Sequence, residues 1–326
     1  MAKNSNLRTA AANKKDEFYT MLTDIEKEMS NYKDFFKGKV VYCNCDDARE
    51  SNFFKYFSSR FEELGLKKLI TTGYKAEGKG VVLVYEGDKD GNRKVDDYEV
   101  EVRELEGSGD FQSDECIEFL KEADVVVTNP PFSKFTAYVK QLMEYNKKFI
   151  IIGNQNQITN KALFPYIKED KLWLGVSMNG ANRWFMVPDN YEFWDNAAKS
   201  KIENGKKMLF VNGVVWFTNV ENKKHNTKLD LIRKYSNEYL KYDNIDALFI
   251  DTYTNIPRDY DGFMGVPISF LHKYNPEQFE IVDLINRYMM YDTFGVNEDV
   301  RKRRSHCCNV NGHAEFARLL IRKRTA

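Results

Sequence analysis

Asp124-Val125-Val126-Val127-Thr128-Asn129-Pro130-Pro131-Phe132 is the stretch that decides how this chain is read. Residues 125–128 are apolar or β-branched without alternation, the mark of a strand covered on both faces in a parallel sheet. The diproline stops it. Proline has no N–H to give a ladder and holds φ near about −65°, so residues 129–131 form a stiff loop whose carbonyls stay available as acceptors. In open α/β sheets, ligands gather at the carboxyl ends of such strands.

The pattern on either side alternates. Residues 39–45 (KVVYCNC), 68–72 (KLITT), 148–153 (KFIIIG) and 171–176 (KLWLGV) read as further buried strands. Between them, residues 113–122, 135–145 and 162–168 read as helices, as does a segment carrying Phe53, Phe54, Phe57 and Phe61 that stops near Gly65. Ser51 and Ser113 stand at N-cap positions. Residues 16–36 read as one helix with Met21, Leu22, Ile25 and Met29 on a stripe, closed by Gly38. Residues 81–85 and 98–105 flank Asp88-Lys89-Asp90-Gly91-Asn92, a hairpin signal. Residues 211–220 read as another strand or hairpin arm. This rhythm predicts an α/β fold with a doubly wound, mostly parallel sheet. After residue 221 it breaks, with strand-like pieces only at 247–253 and 266–271. The expected division is a domain over 1–220 and a smaller α+β region over 221–326.

Length and composition bound the class. The chain has 326 residues, 42% hydrophobic and 30% charged, as in ordinary globular proteins. No apolar run approaches the ~18 residues of a membrane span. Residues 1–15 lack the apolar stretch of a secretory signal. Five cysteines with sparse spacing fit reduced thiols, so a cytoplasmic location is expected. The net charge of zero hides an asymmetry. Lys3, Arg8, Lys14 and Lys15 give residues 1–15 a charge of +4, and residues 301–326 carry +7, leaving −11 on the body. Basic ends on an acidic body suit a polyanionic partner, or are simply solvated. Arg301, Lys302, Arg303 and Arg304 are the densest part of this basic C-terminal tail.

The loop at 129–132 carries the chemistry. The Asn129 side-chain oxygen and the Pro130 carbonyl can each accept one N–H from the same exocyclic amine. Two such acceptors draw both hydrogens to one side and expose the nitrogen lone pair to an incoming methyl group. Phe132 offers a face on which a base can stack, worth ~1–3 kcal/mol. The alternative is a plain proline turn, which the strand–NPPF–helix setting disfavours. Four soft ligands, His306, Cys307, Cys308 and His313, lack zinc-site spacing, and Cys43 and Cys45 read as packed thiols. Gly107-Ser108-Gly109 is too short to argue phosphate binding.

On these residues the chain resembles the S-adenosylmethionine-dependent adenine-N6 DNA methyltransferases, and more narrowly the EcoRI-type adenine-specific family. The resemblance is carried by residues 16–20 (DEFYT), 40–56 (VVYCNCDDARESNFFKY), 109–111 (GDF), 125–134 (VVVTNPPFSK) and 265–279 (GVPISFLHKYNPEQF). It implies a Rossmann-like methyltransferase fold with Asn129, Pro130, Pro131 and Phe132 as the catalytic loop around a flipped adenine. Asp16, Phe18, Tyr19 and Thr20 would be the N-terminal cofactor motif, whose bare reading is a helix start capped by Asp16. Asn44, Asp46 and Asp47 would meet the cofactor, the two carboxylates suiting its ammonium and sulfonium charges; their bare reading is a solvated acidic loop or a cap for the next helix. No glycine-rich turn follows the first strand, as such folds usually have. Asp110 and Phe111 would hold the cofactor's adenine, although Ser113 and the nearby glycines also allow a simple capping loop. The acidic residue expected after the second strand for the ribose hydroxyls is missing; Thr71, Thr72 or Tyr74 occupy that neighbourhood, and the sequence assigns no ribose ligand.

The implied partner is duplex DNA, held at its phosphates by Arg301, Lys302, Arg303 and Arg304. Asn182, Arg183 and Arg258 are candidates for base reading, against the plainer alternative of ordinary surface residues. A cognate restriction endonuclease would share the target site without binding the chain, and a monomer is expected. Two other classes fit less of the sequence: an N-methyltransferase acting on RNA or a protein glutamine amide, and a non-catalytic DNA-binding module on a methyltransferase fold.

Overall fold

The computed structural model describes residues 18–46, 48, 50–180, 183–187, 199–286, 291, 293–294 and 308–324. The chain divides into two units, Met1–Gln155 with Gly175–Val220, and Asn156–Leu174 with Glu221–Ala326. The short segment 156–174 therefore groups with the C-terminal part of the chain.

The first unit is built on strands β1 (Val40–Asp46), β2 (Lys68–Gly73), β3 (Val81–Tyr85), β4 (Val100–Glu104), β5 (Val125–Thr128), β6 (Lys148–Asn154), β7 (Trp173–Asn179) and β11 (Val214–Thr218). They form one eight-stranded sheet in the order β4-β3-β2-β1-β5-β6-β11-β7. The pairs β1/β2, β1/β5 and β5/β6 are parallel. The pairs β2/β3, β3/β4 and β6/β11 are antiparallel. The α/β sheet expected from the alternation is present, but it is mixed rather than mostly parallel: parallel pairing holds at its centre, while β3 and β4 return as hairpin arms and β11 runs against β6.

Helices cover both faces, and that accounts for strands without alternation. Val41, Cys43, Val125, Val127, Ile150 and Ile152 share one core with Ile25 and Met29 of α1 (Leu22–Met29) and Phe53 and Phe57 of α2 (Asn52–Ser59). The intervening residues serve the other layer, where Tyr42 meets Phe119 of α4 (Asp114–Glu122) and Phe135 of α5 (Phe135–Glu144) meets Phe217. Ser51 Oγ accepts from Phe53 N and Ser113 Oγ from Cys116 N, the two caps expected from sequence. After α2 a short α3 (Phe61–Leu64) ends at Gly65, whose φ is 60°.

The helix expected over 16–36 is a correction. Residues 18–20 are extended, with Tyr19 bridged to Met186, and α1 starts only at Leu22. It stops at Met29 because Ser30 Oγ and Asn31 Nδ2 donate to the carbonyls of Lys27 and Glu28, so polar side chains replace the next helical turn. A separate 3₁₀ turn follows at Lys33–Phe36. Glu28 is fully buried and accepts from Tyr32 Oη and from the backbone of Val176 and Ser177, fastening β7 to α1.

A second sheet of three antiparallel strands, β8 (Arg183–Met186), β10 (Lys206–Val211) and β9 (Ser200–Glu203), has no counterpart in the sequence reading. The second unit holds β12 (Ala247–Phe249), β13 (Phe263–Pro267), β14 (Phe279–Ile285) and β17 (Arg318–Lys323), ordered β12-β13-β17-β14, with α6 (Phe164–Lys168) against β14. A two-stranded ribbon, β15 (Asn309–Val310) with β16 (His313–Ala314), completes it.

Two expectations change here. Residues 268–272 form a 3₁₀ turn rather than extending a strand over 266–271. The end of the basic C-terminal stretch is also not a tail. Arg318–Lys323 is an inner strand with Leu319, Leu320 and Ile321 buried, Arg318 donates to the Ile250 carbonyl, and Arg322 pairs with Glu280 at 2.7 Å.

Candidate active site

The catalytic candidates sit where β5 leaves the middle of the sheet. Thr128 Oγ1 donates to the Asn44 carbonyl, tying the ends of β5 and β1 together. Asn129 is 6% exposed. Its Nδ2 donates to the Phe18 carbonyl, which fixes the orientation of the amide. Its Oδ1 is buried and has no partner among the described residues. Leaving a buried acceptor unpaired costs about 1–3 kcal/mol, so a bond waiting for a ligand is the economical explanation. The Pro131 carbonyl is taken by Lys134 N at 3.0 Å. The Pro130 carbonyl accepts nothing from the described residues. Two open acceptors thus stand on consecutive residues.

The segment 18–20 lies against this loop. Phe132, half-buried, has its ring centroid 5.6 Å from Phe18, and Phe18 lies 6.0 Å from Phe185. The backbone of Tyr19 exchanges both bonds with Met186, at 2.8 and 3.2 Å. The Thr20 carbonyl accepts from Asn52 Nδ2 at 2.7 Å, while Thr20 Oγ1 is buried and has no partner among the described residues. Asp16 lies outside the described residues. Strand-like pairing with β8 thus holds residues 18–20 extended, and Phe18 is the one of them that meets the NPPF loop, through Asn129 and Phe132.

A second group gathers from the ends of β1 and of the hairpin. Asn44 is buried and accepts from Tyr138 Oη through Oδ1. Cys45 has φ 67°, and the β1/β2 register slips between Cys43 and Asp46. A cysteine here adopts the left-handed backbone for which glycine would be usual. Asp46 ends β1, opposite Gly73; Asp47 lies outside the described residues.

The route into the second loop does need glycine. Gly109 has φ 80°, and a Cβ there would lie 2.5 Å from the Gly73 carbonyl oxygen. That close approach delivers Asp110 and Phe111. Asp110 Oδ2 pairs with Lys134 Nζ at 2.8 Å and Oδ1 accepts from Gln112 N at 3.0 Å. Partial burial opposes the Asp110 charge, but the Lys134 ammonium and the Gln112 N–H outweigh it and hold the pKa below the ordinary carboxylate range. The bond to Asp110 in turn raises the Lys134 pKa. Phe111 is buried edge-on to Tyr138, with centroids 4.9 Å apart. Burial pushes the Tyr138 hydroxyl well above its usual range, so it stays a neutral donor.

Of the ribose candidates, Thr72 Oγ1 is bonded to Tyr42 Oη at 2.8 Å, Thr71 Oγ1 is buried and unpartnered, and Tyr74 is exposed. Arg301, Lys302, Arg303, Arg304, Asn182, His306 and Cys307 lie outside the described residues. Cys308 is packed with Tyr242, Ala247 and Val310, whereas His313 is exposed. Arg183 is 3.7 Å from Asp24, and Arg258 is exposed. Among the described residues, Asp88, Asp90 and Glu99 of the hairpin turn place one carboxylate oxygen each within 4.8 Å of the others. Sequence reasoning missed Lys134, Tyr138 and Gln141. Their signal is a spacing of four and three that starts at the N-cap of the helix following the NPPF turn.

A pair of acceptors at the carboxyl end of a buried central strand stands where open α/β sheets take their ligands. Comparison with known proteins supplies the class. Residues 6–324 match the family described as adenine-specific methyltransferase EcoRI. The type II methyltransferase M.EcoRI of Escherichia coli is 42% identical over 99% of this chain and 98% of its own. The type II methyltransferase M.MgeORF184P of Mycoplasma genitalium is 38% identical over 95% and 96%. The type II methyltransferase M.MpnI of Mycoplasma pneumoniae is 37% identical over 95% and 96%. This chain belongs to the EcoRI adenine-specific methyltransferase family. No helix among the described residues is long and apolar enough to cross a membrane.

Proposed function

We propose that the protein methylates the N6 amine of an adenine turned out of duplex DNA, with S-adenosylmethionine as the donor, at a site of the restriction-modification type. The observation that carries this reading is the buried, unpartnered Oδ1 of Asn129, oriented by its own amide on the Phe18 carbonyl.

An adenine inside a duplex directs N6 into the major groove, so the base must leave the stack, at a few kcal/mol. Phe132 takes one face of it. Asn129 Oδ1 and the Pro130 carbonyl each accept one amine hydrogen, which turns the nitrogen lone pair out of the ring plane. The nitrogen then bonds to the transferred methyl carbon as the bond from that carbon to sulfur breaks, and the surplus proton passes to water. As the nitrogen gains positive charge, both acceptor bonds strengthen, so they favour the transition state over the bound substrate. No strong base is required.

The remaining residues suit the donor. When bound, S-adenosylmethionine supplies an electrophilic methyl group on a sulfonium. Asp110, held ionised, suits its adenine amine, and Phe111 with Tyr138 suits the ring. The unpartnered Thr20 Oγ1 and the buried Asn44 suit the methionine end. Arg301, Lys302, Arg303 and Arg304 would neutralise phosphates, adding affinity without sequence information.

The test is methylation of unmethylated plasmid DNA, RNA and protein extract with labelled donor, followed by nucleoside and amino-acid analysis. N6-methyladenine in duplex DNA alone is the expected product. Label in N4-methylcytosine, RNA or glutamine, or no label at all, would overturn the reading.

A further inference from the structure

We propose that Lys134, Tyr138 and Gln141 are the positioning residues of the cofactor pocket, a single helical stripe that ties the purine wall to the catalytic turn. The inference rests on the assignment of Asn44, Asp110 and Phe111 to the cofactor.

Lys134 is the N-cap of α5, and Tyr138 and Gln141 follow it at spacings of four and three along the same side of the helix. Each grips a cofactor candidate. Lys134 Nζ donates to Asp110 Oδ2 at 2.8 Å and stands 5.5 Å from the Phe111 ring centroid. Tyr138 packs edge-on against Phe111 and donates through its hydroxyl to Asn44 Oδ1. Gln141 Nε2 donates to the Phe111 carbonyl at 3.1 Å. Asn44 comes from the end of β1 and residues 110–111 from the loop before α4, so a strand end and a separate loop are registered against one helix.

The helix begins at the catalytic turn itself. Lys134 N bonds the Pro131 carbonyl at 3.0 Å, and Tyr138 N bonds the Lys134 carbonyl at 2.9 Å. The stripe therefore fixes where the purine sits relative to Asn129 and Pro130. Lys134 also keeps Asp110 charged and aimed. Each Asp110 oxygen has one described partner and thus a further lone pair for an incoming amine.

The test is calorimetric titration of the full chain, without DNA, with S-adenosylhomocysteine. Lys134→Met and Tyr138→Phe should each weaken binding ~5–10-fold, as loss of one buried or charge-assisted bond does. Lys134→Arg should restore most of the loss. In a double-mutant cycle, Asp110→Asn with Lys134→Met should bind no worse than Asp110→Asn alone, because the lysine acts through the carboxylate. Wild-type affinity in both Lys134→Met and Tyr138→Phe, or additive losses in the cycle, would overturn the inference alone. Failure of the wild type to bind, or wild-type affinity in Asp110→Asn, would remove the pocket assignment and the inference with it. A variant melting near the titration temperature is measured again well below its midpoint, so loss of fold is not read as loss of positioning.

Discussion

Asn129→Ala separates chemistry from binding. The substitution removes two things that the structure distinguishes. The first is the bond from Nδ2 to the Phe18 carbonyl, whose loss leaves a buried acceptor unpaired. That lowers folding stability by about 1–3 kcal/mol. The second is Oδ1, which has no partner among the described residues and which the proposed mechanism pairs with the target amine. Acceptors or donors that meet charge developing in a transition state contribute ~10²–10³ in turnover when one is deleted. The Pro130 carbonyl remains, so activity should fall by that factor and stop short of zero. The assay is single-turnover methylation of a short duplex at saturating donor and enzyme, with calorimetry of S-adenosylhomocysteine binding on the same preparation. Turnover down ~10²–10³-fold with cofactor affinity within twofold of wild type is the expected pair of results. Turnover within threefold of wild type, or a loss matched by an equal loss of cofactor binding, would refute the acceptor role.

Other consequences follow from named residues. Phe132→Ala should lose the stacking face, worth ~1–3 kcal/mol per base, and a 2-aminopurine placed at the target should show a smaller fluorescence rise on binding. Asp110 has its pKa held below the ordinary range, so the stability it lends is present above the unfolded value, about 3.9, and is lost as pH falls through the lower folded value. Cofactor affinity should therefore show no titration from this carboxylate between pH 5 and 8, and an Asp110-dependent step near pH 6 would contradict the pairing with Lys134. Replacing Arg301, Lys302, Arg303 and Arg304 together with glutamine should flatten the log–log salt dependence of DNA binding, by ~0.9 for each phosphate no longer neutralised. A chain ending at residue 317 should lose soluble expression or cooperative unfolding of the second unit, because it lacks the inner strand Arg318–Lys323.

How far the sequence could be read depended on whether local pattern or distant pairing decided the outcome. β1, β2, β5 and β6 were legible because buried parallel strands must be apolar on both faces. The Ser51 and Ser113 caps were legible because capping is local. The first helix was overextended, since its stripe continued through residues whose polar side chains bond backward onto the carbonyls of Lys27 and Glu28. β8, β9 and β10 escaped notice because a three-stranded sheet leaves weak alternation and depends on pairing across a loop. Arg318–Lys323 was misread because its flanking arginines and lysine suggested a solvated tail, while its three central residues are buried. The NPPF loop was visible in the chain, but the orphaned Oδ1 that gives it meaning depends on Phe18, which lies far away in sequence. Lys134, Tyr138 and Gln141 looked like an ordinary amphipathic face until the loops they hold were in place.

The most direct measurement is a crystal structure of the full chain with S-adenosylhomocysteine and a duplex carrying its target site. The account predicts the target adenine outside the helix, with N6 within about 2.7–3.2 Å of both Asn129 Oδ1 and the Pro130 carbonyl oxygen. An adenine left stacked in the duplex, or an N6 bonded to other groups with Asn129 Oδ1 still alone, would contradict it.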